Sequence, residues 1–205
     1  MKFSHLKLEK IRINPSGIRD ILSVSDGGRL SMNRVWFFAA RKYHQSGGDR
    51  NFCMNYFDRM FDEKFVLNVA NIRKKELLLD KLDQYINSYI DLKFEFYDYS
   101  NRISIDIDHG NMIGGELFRF DKTNEGGYAV TILDKENSIW ANQLRFPLFQ
   151  IHYSNVFDCP SELIKVGIYN FEEEKHEYIT YDEVSLKTSE DEIKAISKEI
   201  NNFKL

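Results

Sequence analysis

Residues 103–108 read ISIDID, and this strict alternation of apolar and polar side chains decides the fold class. A period of two is typical of a strand that buries one face. Phe94 and Phe96 begin the same pattern, and residues 128–133 end it after glycine-containing turns. We therefore predict an antiparallel β-meander over residues 93–134.

Helical periodicity surrounds this meander. Between residues 72 and 90, apolar side chains recur every three or four positions, at Leu78, Leu82, Tyr85, Ile86 and Tyr89. Residues 30–43 fit either a strand or a helix. A helix is predicted over 140–153, with Pro147 kinking it or starting its second half.

Two more strands, 164–171 and 178–181, and a last helix starting at Thr188 or Ser189 complete the predicted elements. Together they give an α+β (mixed α/β) fold, with the antiparallel β-meander covered by helices. We predict a mainly helical N-terminal part, residues 1–92, and an α/β core, residues 93–205. One compact domain is expected, because 205 residues suit a single hydrophobic core.

Composition limits the function classes. The chain carries a net charge of -4, whereas double-stranded DNA binders usually have a basic excess. No apolar run reaches the roughly 18–20 residues of a membrane helix, and the first ten residues lack an apolar signal segment. We expect a soluble cytoplasmic protein with no membrane partner, in which Cys53 and Cys159 stay reduced.

Acidic residues collect along the predicted strands. They include Asp106 and Asp108, two apart on one strand face, and Asp121 at a strand end. Neighbouring strands can bring Glu116 near Asp134 and Glu136, and such oxygen ligands suit a hard cation such as Mg²⁺. The alternative is that exposed strand ends collect acids without any ligand.

Four stretches of the chain resemble the PD-(D/E)XK nuclease superfamily, in the RecB/AddB-type branch that includes CRISPR adaptation nucleases. They are INPSGIRDIL at 13–22, IGGELFRFD at 113–121, AVTILDKE at 129–136 and RFPLFQIHY at 145–153. They are similar to the family's opening helix, its two catalytic strands and the helix that follows. The resemblance implies a restriction-endonuclease-like core with a helical N-terminal extension.

The resemblance also implies a set of site residues. In an active enzyme, Glu116 and Asp134 would hold Mg²⁺ or Mn²⁺, with Glu136 as a further acid, and Lys135 would position the attacking water. The residues that would contact nucleic acid are Ser16, Arg19, Gln150 and Tyr153. Two positions depart from the family pattern: Phe118 stands where the first strand needs a metal-binding aspartate, and Glu136 stands at the lysine position.

Three functional interpretations follow, and whether the protein is an enzyme stays open among them. The first is a catalytically degenerate, nuclease-like protein of nucleic-acid processing or phage defence. It would act as a DNA-binding or structural subunit beside a larger protein partner. The second is an active, divergent Mg²⁺-dependent DNA nuclease. The third is an α+β protein-interaction module unrelated to nucleases.

Overall fold

A computed structural model describes residues 1–24, 31–98, 102–108, 110–134 and 139–203. Its helices are α1 (His5–Ile13), α2 (Ile18–Ser23), α3 (Met32–Gln45), α4 (Arg50–Lys64), α5 (Val69–Leu92), α6 (Arg145–Phe157) and α7 (Glu183–Asn202). Its strands are β1 (Lys2–Ser4), β2 (Glu95–Asp98), β3 (Ile103–Asp106), β4 (Met112–Gly115), β5 (Arg119–Lys122), β6 (Tyr128–Asp134), β7 (Ile164–Asn170) and β8 (Lys175–Ile179). The predicted α+β class is confirmed.

The strands form two sheets. The larger sheet has the order β2-β5-β6-β7-β8, in which β6 and β7 are parallel and the other neighbours are antiparallel. The smaller sheet has the order β1-β4-β3, with β1 parallel to β4. The predicted meander is therefore divided, because β2 pairs with β5 while β3 and β4 join the N-terminal strand.

Within the region that fitted either a strand or a helix, 30–43, residues 32–43 are helical and belong to α3, and residue 30 lies outside the described residues. Ser31 caps this helix by accepting a hydrogen bond from the Arg34 amide. Its buried positions include Val35, Trp36 and Ala39, a spacing that fits one helix face.

Two predictions about later helices need correction. Pro147 is the third residue of α6, where its missing amide hydrogen costs no helical bond, so it falls within the first turn. The last helix begins after Asp182, whose side chain accepts a hydrogen bond from the Ser185 amide. Thr188 lies inside this helix and donates to the Val184 carbonyl. The prediction that Thr188 or Ser189 caps it is therefore wrong.

Two hydrophobic cores cover opposite faces of the larger sheet. Val130 and Ile132 of β6 point into a core shared with α1, α6 and α7. Phe118 and Tyr169 belong to a second core, formed with α3, α4 and α5. This second core joins residues from both sides of the predicted boundary at residue 92. Within the described ranges, no helix combines the length and the hydropathy required to cross a bilayer.

Candidate functional site

The two acids that the sequence assigned to a metal lie at one end of the larger sheet. Glu116 lies in the connection between β4 and β5, and Asp134 is the last residue of β6. Because β5 and β6 are antiparallel, with Arg119 opposite Thr131, the start of one strand adjoins the end of the other. Asp134 is 7% exposed, and its backbone carbonyl accepts a hydrogen bond from the Phe171 amide.

Glu116 is held by two arginines of α3. Arg34 Nη2 lies 2.7 Å from Glu116 Oε2, and Arg41 Nη1 lies 2.7 Å from Oε1. Each carboxylate oxygen therefore has its own guanidinium partner. Arg41 also donates to the Leu117 carbonyl, which fixes the connection to α3.

The spacing of the two arginines follows from helix geometry. Arg34 and Arg41 are seven residues apart, so they project from the same face of α3. The Phe37 ring lies between them, with the Arg34 guanidinium 4.5 Å and the Arg41 guanidinium 4.3 Å from its centroid. This arrangement orients both charged groups toward Glu116 and adds cation–π attraction.

A third arginine, Arg145, is linked to Glu116 by the side chain of His5. His5, the first residue of α1, is hydrogen-bonded to the Glu116 backbone, and its Nδ1 lies 3.5 Å from Arg145 Nη1. Burial and the nearby Arg145 charge lower the pKa of His5 to about 3, so the ring is neutral. Its Nδ1 is then an acceptor for the guanidinium, which never accepts. We call Arg34, Arg41, Arg145, His5 and Glu116 the Glu116 cluster.

The Glu116 cluster does not fit the magnesium site that the resemblance implies. Mg²⁺ needs carboxylate oxygens and water at close range, whereas both oxygens of Glu116 are engaged by guanidinium groups. A dication placed there would also be repelled by Arg34 and Arg41. In the parts of the chain that the structure covers, no group of three or more His, Cys, Asp or Glu side chains could hold a metal ion. Lys135 and Glu136 lie outside the described residues.

Phe118 lies in the second core rather than at the surface. It is 1% exposed and packs against the rings of Trp36, Phe37 and Tyr85, with centroids 6.2, 5.2 and 5.4 Å away. An ionised aspartate at this position would lose its hydration among these aromatic rings. The aromatic residue is therefore part of the packing between α3, α5 and the sheet.

Sequence reasoning missed a buried ion pair on β5. Arg119 Nε lies 2.6 Å from Asp121 Oδ2, and the two side chains are 1% and 0% exposed. Tyr85 and Tyr178 accept hydrogen bonds from Arg119, and Tyr89 donates to Asp121. Burial raises the pKa of Asp121, and the Arg119 charge opposes that rise. We call these five residues the Arg119 network.

A sequence signal for the Arg119 network did exist. Arg119 and Asp121 are two apart in a strand and so share one face. The flanking tyrosines come from α5 and β8, and their approach is visible only in the fold. Because every charged group in the network has partners, its geometry is that of a structural support.

The four side chains assigned to nucleic-acid contact have different surroundings. Gln150 is 0% exposed; its amide donates to the carbonyls of Ser161 and Tyr181 and accepts from the Tyr181 amide. Tyr153 is 6% exposed and packs edge-on against Phe120. Contact with nucleic acid would require both side chains to leave these partners.

Ser16 and Arg19 are exposed near the N-terminal helices. Ser16 donates to the Asn14 side chain at 2.9 Å, which stabilises the turn before α2. Arg19 borders a surface hollow of about 260 Å³ that Met1, Leu22 and Phe203 also line. Both side chains remain accessible for the predicted contact.

Comparison with known proteins adds no family to this geometry. No family model matches the chain. No curated protein matches it either.

Proposed function

We propose that this chain is a nuclease-like protein that has lost nuclease chemistry and binds nucleic acid as a subunit of a larger assembly. The observation that carries the proposal is the double ion pair of Glu116 with Arg34 and Arg41. Through these contacts, Glu116, which the resemblance assigns to the metal, becomes part of a cluster with a positive charge excess. Guanidinium groups recognise phosphate, whereas a metal-dependent nuclease needs free carboxylate oxygens at this point.

The order of elements supports the nuclease-like part of the proposal. β5 and β6 are antiparallel neighbours, α6 follows, and β7 then pairs in parallel with β6. The resemblance implies the same succession of two strands, a helix and a further strand. Phe118, buried in the core, supports the loss of catalysis, because it stands at the aspartate position.

A cleavage assay tests the loss of chemistry. We expect no cleavage of plasmid, single-stranded or double-stranded DNA by the wild-type protein with Mg²⁺ or Mn²⁺. Asp134→Asn is the matched control, because it removes the other acid that would hold the metal. Cleavage by the wild type that disappears in Asp134→Asn would refute the proposal and favour the divergent active nuclease.

A binding assay tests the nucleic-acid part. We expect fluorescence anisotropy with labelled oligonucleotides to show binding that weakens as salt rises, because guanidinium–phosphate contacts release counterions. The affinity should depend neither on added metal ions nor on protonation of the protein. A protein that binds neither single- nor double-stranded nucleic acid at low salt contradicts this part.

One feature favours the protein-interaction alternative. The tip between α4 and α5 exposes four aliphatic side chains: Val66 at 78%, Leu67 at 52%, Val69 at 67% and Ile72 at 41%. Exposed aliphatic side chains grouped within seven residues are a feature of interaction sites. A partner that co-purifies with the wild type but is lost from a Val66→Ser, Val69→Ser variant would support this second function.

A further inference from the structure

We propose that Arg34 and Arg41 form a phosphate-binding site that Glu116 occupies as an internal competing anion. A phosphate group would displace the Glu116 carboxylate from the two guanidinium groups. The inference rests on the proposed function, because it names the ligand chemistry of that same site. It reverses the role of Glu116, from metal ligand to an acid that weakens ligand binding.

The geometry of the two arginines suits an oxyanion. Each places one N–H group 2.7 Å from a different oxygen of the same carboxylate. A phosphate presents oxygens at similar separation, and guanidinium groups bind phosphate and carboxylate in the same way. The Phe37 ring between the arginines holds this spacing independently of Glu116.

The local charge also favours an added anion. Two guanidinium groups face one carboxylate, and Arg145 adds a third positive charge through the neutral ring of His5. Among the described residues, Asp134, the last residue of β6, is a further acid at this end of the sheet. Arg34 lies in the first turn of α3, where the helix dipole adds to the attraction for anions.

The site is accessible and its internal anion can leave. Arg34 and Glu116 have side-chain exposures of 39% and 27%, whereas Arg41 is 6% exposed. Glu116 lies in a connection between strands, and its backbone is held by His5. Rotation of the side chain therefore releases the arginines without moving the backbone, and the buried Arg41 remains as the fixed part of the site.

The decisive variant is Glu116→Gln. If Glu116 competes with phosphate, this variant should bind inorganic phosphate and a short single-stranded oligonucleotide about fivefold more tightly than the wild type. Asp83→Asn is the matched control, since Asp83 pairs with Arg50 at 2.8 Å with exposures of 33% and 41%. It changes the net charge equally and should alter either affinity by less than about twofold.

The double variant Arg34→Gln, Glu116→Gln locates the effect. It should lose the gain of Glu116→Gln, because one of the two guanidinium groups is then missing. Arg34→Gln alone should weaken phosphate binding about threefold, whereas Arg50→Gln should leave it unchanged. If Glu116→Gln fails to fold, Arg34→Gln and Arg50→Gln still test whether Arg34 binds phosphate, and equal phosphate affinities of these two variants overturn the inference.

The outcomes separate the inference from the proposed function. If phosphate binding and oligonucleotide binding are each equal in the wild type, Glu116→Gln and Asp83→Asn, the inference is overturned and nucleic-acid binding is left intact. If Glu116→Gln binds phosphate more tightly and no variant binds the oligonucleotide, the anion site is supported. The proposal that the site binds the phosphates of a nucleic acid is then refuted. A gain that persists in the double variant also overturns the inference.

Discussion

Replacing Asp121 by asparagine is expected to destabilise the protein by about 3–5 kcal/mol, because Arg119 would remain buried without its counter-charge. Asparagine has nearly the same shape as aspartate, so packing is preserved and the electrostatic effect dominates. The side chains of Arg119 and Asp121 are 1% and 0% exposed, and solvent therefore screens neither charge. This loss is a large part of the 5–15 kcal/mol by which a domain is usually stable.

A double variant distinguishes a broken ion pair from simple loss of packing. Arg119→Met with Asp121→Leu removes both charges, and the hydroxyl groups around them keep other partners. Tyr85 retains His44, Tyr178 retains Thr131, and Tyr89 retains the Phe94 carbonyl. We therefore expect the double variant to be more stable than Asp121→Asn alone.

Urea denaturation at neutral pH, followed by the fluorescence of the two tryptophans, measures these differences. Asp83→Asn serves as the control, because its ion pair with Arg50 is only partly buried and, screened by solvent, should contribute less than about 1 kcal/mol. The reasoning is refuted if Asp121→Asn costs no more than Asp83→Asn. It is equally refuted if the double variant loses the sum of its two single substitutions.

Three further predictions concern the site and its support. Gly115→Ala should lower the free energy of unfolding by about 1–3 kcal/mol, because φ is +157° and an added Cβ would lie 2.2 Å from His5 Cδ2; thermal unfolding measures the loss. The pKa of His5 is about 3 in the folded protein, so the unfolded state takes up a proton first as pH decreases below 6.5. His5 should therefore lower the free energy of unfolding by about 1.4 kcal/mol for each pH unit between 6.5 and 3. Urea titrations between pH 7 and 5 should therefore show a shallower slope for His5→Gln than for the wild type, and equal slopes would contradict this. Gln150→Leu should cost about 1–3 kcal/mol and speed hydrogen exchange at the Tyr181 amide, which would lose its acceptor; unchanged exchange would refute the assignment.

The predictable part of the fold is the part set by local periodicity. The helical spacing of Leu78, Leu82 and Tyr85 reports the buried face of α5, since these side chains pack within one segment. The mostly apolar runs of β6 and β7 likewise report strands buried at nearly every position, because helical layers cover both faces of the larger sheet. Such patterns need no knowledge of which strands pair.

The connectivity of the sheets and the partners of Glu116 depend on distant segments. The contact from Arg41 to Glu116 spans 75 residues, and nothing near Glu116 in the sequence indicates it. Carboxylates toward the ends of strands suit a metal or an arginine equally well, so composition could not choose between them. The start of α7 was missed because both Asp182 and Thr188 are acceptable caps, and packing of Leu186 selects the earlier one.

The parallel pairing of β1 with β4 has a consequence for synthesis on the ribosome. Lys2 pairs with Met112, so β1 cannot pair until β4 has been translated, roughly 100 residues later. At about 5–20 residues per second, this delay amounts to roughly 5–20 s with an unpaired strand edge. The three-residue length of β1 and the charge of Lys2 limit the risk that nascent chains associate through that edge.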